Sequence, residues 1–176
     1  MAAGEEAARP DDRTTGDLLR LLRTGTSTEH EDVERTLDLL DPALSRSRLT
    51  DVLIRMHGFW RAAEAGLEQW AAHHPGDAAA VSWPRRRRAG LFADDLRVLG
   101  AAPGSATPGL PALAGTDEAL GRLYVLEGAT LGGIVIDRHL AGLPQLAGTR
   151  LRSFSPHGDR TGAMWHAFQR TARHHV

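Results

Sequence analysis

The chain contains no cysteine, and that absence removes disulfide scaffolds, thiolate zinc sites, iron–sulfur clusters and cysteine nucleophiles together. Any metal it holds must sit on histidine or carboxylate. Neither sign of charge is in excess: 21 Lys and Arg against 22 Asp and Glu leave a formal net charge of -1. Nothing therefore draws the chain electrostatically to nucleic acid. The opening residues MAAGEEAARPDDRTTG lack the apolar run of a signal peptide, and no apolar stretch reads as a membrane span. The expectation is a cytoplasmic protein without nucleic-acid or membrane partners, its residues 1–15 a disordered leader. The 176 residues are 41% apolar, enough for one domain with a real core.

What the chain does have is helical periodicity interrupted by proline and glycine. Leu19, Leu22, Thr26, His30, Val33, Leu37 and Leu40 recur every three or four residues, predicting a helix from about Gly16 to Leu40. Asp41-Pro42 ends it. Leu49, Val52, Met56, Phe59, Ala63, Leu67 and Trp70 predict a second helix from about Arg46 to Ala72. HHPGD, Ser82-Trp83-Pro84 and AAPGSATPGLPALAG are breakers around a shorter third helix ending near Leu99. Thr116, followed by Asp117 and Glu118, has the form of an N-cap opening a fourth. Residues from about Asp159 to Arg173 read as a fifth. The expected fold class is all-α, a single-domain helical bundle over 16–176. LYVL and IVID keep a β-hairpin about Gly132-Gly133 as the alternative.

The fourth helix carries an oddity. The segment LYVLEGATLGGIVIDRHL holds Gly128, Gly132 and Gly133 in its interior, and each glycine costs roughly 1 kcal/mol of helix preference relative to alanine. At about 100° per residue, Gly121, Gly128 and Gly132 share one sector with Tyr124, Leu131, Val135 and His139. Backbone is bared there as a flat groove. Two readings follow: close packing of a second helix, or a backbone lying against a flat ligand or a small bound molecule. A phosphate-cradling loop is a poor match, since GATLGG lacks the GK[ST] ending and the dinucleotide spacing.

A second oddity is His30, which falls inside the apolar stripe of the first helix. Such a histidine can simply be packed, but Glu34 stands one turn on, where a carboxylate can orient the imidazole through its second nitrogen. Arg23 lies two turns back on nearly the same face, where a guanidinium can hold a carboxylate bidentately. One axial nitrogen, one cationic clamp and one glycine-bared helix suit a heme lying between two helices.

Four stretches then resemble the bacterial heme oxygenases, including those that supply biliverdin to bacterial phytochromes. They are LRTGTSTEHEDVE around His30, HGFW around His57, RRRRAGLFADDLRVLG, and above all GRLYVLEGATLGG, in the family's order from about Leu18 to Phe168. The resemblance implies the heme-oxygenase-like fold, with heme between a proximal helix and a kinked distal one. His30 matches the proximal iron ligand, and Glu34 the position that supports it. Gly128 and Gly132 match the distal glycines, Arg23 and Tyr124 the residues that contact propionates, and His57 a histidine of the distal hydrogen-bond network in some members. It implies further that heme, with its iron, is both substrate and cofactor. Oxygen and electrons from an external donor, such as a ferredoxin or a flavin reductase, convert it to biliverdin, carbon monoxide and ferrous iron. A bacteriophytochrome is the kind of acceptor a biliverdin product implies.

Some positions depart from that pattern. Ala129 stands where animal-type enzymes carry an aspartate, Ile134 where many relatives carry glutamine, and Leu53 precedes His57 by one turn. A drier distal side favours the alternative of a non-catalytic or impaired heme-binding or storage protein on the same fold. A di-iron oxidase would need repeated Glu-x-x-His pairs, and the chain has none; a plain helical interaction module remains if His30 is only packed. Arg85 to Arg88 read as a solvated helix entrance. His73, His74, His174 and His175 read as surface residues, His139 as packing, and Trp60, Trp70 and Trp165 as core.

Overall fold

The computed structural model describes residues 24–175, and the chain divides into two units, one ending at Asp38 and the other spanning Leu39–Val176. Within the first unit, helix α1 covers Ser27–Leu37. Asp38 ends it in the left-handed conformation, φ 48°, with its N–H bonded to the Glu34 carbonyl. None of the α1 residues is buried, and Val33 is 55% exposed. Of the predicted stripe, His30, Val33 and Leu37 recur on one side of α1. Periodicity identifies the apolar side of a helix and says nothing about what lies against it. Leu19 and Leu22 lie outside the described residues.

In the second unit, α2 spans Arg46–His73, opened by Ser45, whose hydroxyl accepts the Arg48 N–H at 3.1 Å. A short α3, Pro75–Ala80, and a 3-10 turn, Trp83–Arg86, lead to α4, Ala89–Val98. Residues 101–115 carry no helix or strand and form a strap to α5, Thr116–Ala141; α6, Thr161–His175, follows after two short 3-10 turns. No strand occurs among the described residues. LYVL and IVID are one continuous helix through both glycines, so the hairpin alternative is overturned: Leu123, Leu126, Thr130 and Gly133 are all buried, a spacing of three and four that only a helix satisfies.

Long-range hydrogen bonds fix the topology. The Arg46 guanidinium reaches the Val98 carbonyl at 3.1 Å while Glu64 accepts the Ala89 N–H at 2.8 Å, so α2 and α4 run antiparallel. Trp70 Nε1 donates to the Thr116 hydroxyl at 3.1 Å, and that hydroxyl donates to Asp77 at 2.6 Å. Thr116 thus ties the start of α5 to α2 and α3 instead of capping its own helix, a role that falls on Gly115. Leu49, Val52, Leu67 and Trp70 of α2 are buried together with Leu96 and Leu123. Trp60 stacks on Phe92 at 5.9 Å, and Phe92 meets Phe154 edge-on at 6.2 Å; burying each such ring is worth about 1.5–3 kcal/mol.

The strap runs along α2. A Cβ on Gly58 would collide with the Ala106 carbonyl, and one on Gly104 would come within 2.8 Å of Ile54 Cγ2. Glycine at both positions is what allows the close approach. By length and composition alone α5 would pass as a membrane span, which the sequence reading did not anticipate. It is the apolar helix that supplies much of this unit's core.

Candidate functional site

Three glycines of α5 have three different surroundings. A Cβ built on Gly132 meets nothing within 4 Å, and one on Gly128 meets only the edge of the Trp165 ring at 4.0 Å. A Cβ on Gly133 would run into the Phe154 carbonyl. Gly133 is therefore the packing glycine, buried against the chain that precedes α6. Gly128 and Gly132 bare their backbone without any close neighbour among the described residues to require it. Around them Val125 is 61% and Val135 54% exposed. Tyr124 is half-buried with its ring 5.3 Å from Trp165; Trp165, assigned to the core from spacing, is only half-buried itself.

The same stretch is gripped from the other side. Glu127 is 1% exposed and forms an ion pair with Arg86, which also donates to the Val81 carbonyl and to the Met164 carbonyl at 3.5 Å. Burial pushes the Glu127 carboxyl above its ordinary range, opposed by Arg86 and then Arg88. His157 Nε2 lies 3.9 Å from the same carboxylate, and its pKa is lowered by burial first, then by Arg86, Arg88 and Arg160. Arg88 lies 4.3 Å above the Trp60 ring and donates to the Ser153 carbonyl at 3.1 Å. Burial lowers its pKa to about 10. The Thr130 hydroxyl donates to the Glu127 carbonyl at 2.6 Å, a back-bond that bends helices.

This corrects the reading of Arg85 to Arg88 as a solvated run. Arg85 and Arg87 are exposed, whereas Arg86 and Arg88 are buried. Four identical residues conceal the alternation. Glu127 and His157 were not singled out from sequence, and Arg86 only as one of the run, though one signal was there: an acid at a core-facing position of an apolar helix must find a buried partner.

His57 is 6% exposed on α2, beneath the strap. Its pKa is lowered by burial first and by Arg61 next, with the Gly104 backbone acting in the opposite direction and Arg97 a smaller lowering influence. The groups recorded around it thus belong to α2, α4 and the strap. Its Nδ1 is buried without a hydrogen-bond partner among the described residues. Leu53, one turn earlier, is fully buried core, while Ala129 is exposed and Ile134 half-buried beside the glycines.

In the first unit, His30 Nδ1 lies 3.4 Å from Glu34 Oε1, both side chains well exposed. The i, i+4 pairing predicted from spacing is formed, and it leaves the other ring nitrogen for a ligand. Arg23 lies outside the described residues.

The class defined so far is an all-helical protein whose longest apolar helix bares glycine backbone on one side and is anchored by a buried ion pair on the other. No family model matches the chain, and no solved structure matches it. A heme oxygenase of Xanthomonas campestris pv. campestris (strain 8004) is 35% identical over 118 residues, 67% of this chain and 67% of the relative. The chain belongs to the heme oxygenase family.

Proposed function

We propose that the protein is a heme oxygenase that cleaves heme to biliverdin, carbon monoxide and ferrous iron in the cytoplasm. The observation that carries the reading is the bare backbone of Gly128 and Gly132 on a helix in which the neighbouring Gly133 is demanded by packing. Heme supplies the iron at which oxygen is activated and is itself the ring that is opened.

The reading gives each residue a role. His30 would be the iron ligand: Glu34 lies 3.4 Å from Nδ1, where it can accept that N–H, which would fix the tautomer and leave the Nε2 lone pair for the iron. A neutral imidazole would push less electron density onto the iron than a thiolate does. Gly128 and Gly132 leave space where any side chain would stand and bare backbone carbonyls that can hold an ordered water in that space. By the family resemblance, Tyr124 and Arg23 would bind the propionates. Electrons come from an external donor such as a ferredoxin or a flavin reductase, and a bacteriophytochrome is a fitting acceptor of the product.

Ala129 and Ile134 favour a second reading, a heme-binding or storage protein, because they put no polar side chain beside the glycines. Aerobic reduction of the hemin complex separates the two. The enzyme reading predicts loss of the Soret band and growth of a biliverdin absorbance; a Soret band that persists through repeated reduction contradicts it.

A further inference from the structure

The Arg86–Arg88 turn reaches the glycine stretch of α5 at both of its ends. At the N-terminal end, Arg86 pairs with Glu127, the residue directly before Gly128, and holds the Val81 and Met164 carbonyls with its other donors. At the C-terminal end, Arg88 holds the Ser153 carbonyl through Nε at 3.1 Å. The next carbonyl, that of Phe154, is the one that fills the place of a Gly133 side chain. Asp95 fastens the same segment from α4, accepting the Arg152 N–H at 2.9 Å and the Ser153 N–H at 2.8 Å. The four-residue step from Gly128 to Gly132 is thus bracketed by Glu127 and Gly133, and both brackets lead to one turn.

We infer that Glu127 is a positioning residue, which with the Arg86–Arg88 turn sets the height of the Gly128–Gly132 backbone against whatever lies on the bare side. Its side chain faces the core, roughly 100° around the helix from Gly128, so it acts through the backbone and touches no ligand. The inference rests on the heme oxygenase reading for the identity of that ligand. A buried ion pair is weak evidence for stability, since apolar residues of similar volume often hold a core equally well. A geometric role is the better reason for one that sits directly against the glycines.

Two variants test it: Glu127→Gln, which keeps volume and one hydrogen bond, and the double variant Arg86→Met/Glu127→Leu, which removes the charges and keeps the core filled. Thermal melts first establish that each folds. In the heme-free proteins, amide hydrogen exchange at residues 128–132 is expected to rise about tenfold in both, with α2 and α4 unchanged. In the ferrous carbon monoxide complexes, the C–O stretching band is expected to shift or split, and turnover to fall by about tenfold to a hundredfold, as a displacement near 1 Å can produce. Unchanged exchange in both folded variants overturns the inference, as does an unchanged C–O band. Should the wild-type chain take up no hemin, the heme reading fails, and the exchange comparison still decides whether Glu127 holds the glycines.

Discussion

Replacing Gly132 by alanine puts a methyl group into open space, whereas the same change at Gly133 drives it into the Phe154 carbonyl. The two substitutions should therefore have opposite signs. Gly132→Ala removes a helix penalty and is expected to stabilise the heme-free protein by about 1 kcal/mol. Gly133→Ala is expected to destabilise it by about 1–3 kcal/mol, because backbone must move. Urea unfolding of both variants checks the pair, and equal shifts would remove the distinction between ligand-facing and packing glycines. Gly132→Leu should fold as the alanine variant does and yet lose turnover. Sequence reasoning reached Gly128 and Gly132 because a rotation of about 100° per residue places them on one side whatever the tertiary contacts are. It left Gly133 off that side but could not say what Gly133 packs against, since the Phe154 carbonyl arrives from 21 residues further along the chain.

At the scale of elements, the strap over α2 makes its own prediction. Gly58 admits the Ala106 carbonyl, and His57 is buried next to it under the same strap. Gly58→Ala should lift the strap and hydrate the ring. Because burial is the first cause of the lowered His57 pKa, the residue should titrate below 6.5 in the wild type and move up toward that value in the variant, as followed by imidazole NMR signals. No movement would mean that the strap is not what desolvates His57. Much of the helical pattern was legible from spacing: α2 falls within a residue of both expected ends, α4 stops within a residue of its expected end, and α6 lies within two, whereas α1 stops three residues short of Leu40. The strap's path was not, because a Pro/Gly-rich stretch reports only where a helix cannot be. The burial of Arg86 and Arg88 was hidden for a related reason, that their partners Glu127 and Ser153 are 41 and 65 residues away.

At the scale of the whole molecule, the buried histidines give stability a sign with pH. His157 has a folded-state pKa below its ordinary 6.5, so the unfolded chain binds the proton first as pH falls. Stability from this group is complete above about pH 6.5 and is lost on acidification below it. Glu64, Glu127 and Asp137 have raised values and act in the opposite sense, gaining stability as pH falls toward their ordinary range. Comparison of variant with wild type at each pH isolates the histidine. His157→Gln should narrow the gap in thermal midpoint to the wild type between pH 7 and 5.5, at about 2–4 °C for each kcal/mol. A constant gap would show that His157 is not held neutral.

The chain belongs to the heme oxygenase family, and the bare glycines of α5 leave the open backbone that the proposed chemistry needs. The most direct test of the central assignment, that His30 ligates heme iron, is resonance Raman spectroscopy of the ferrous heme complex of the full chain. The wild type should show an iron–histidine stretching band that His30→Ala loses and added imidazole restores. An unchanged iron–histidine band in His30→Ala would contradict the account.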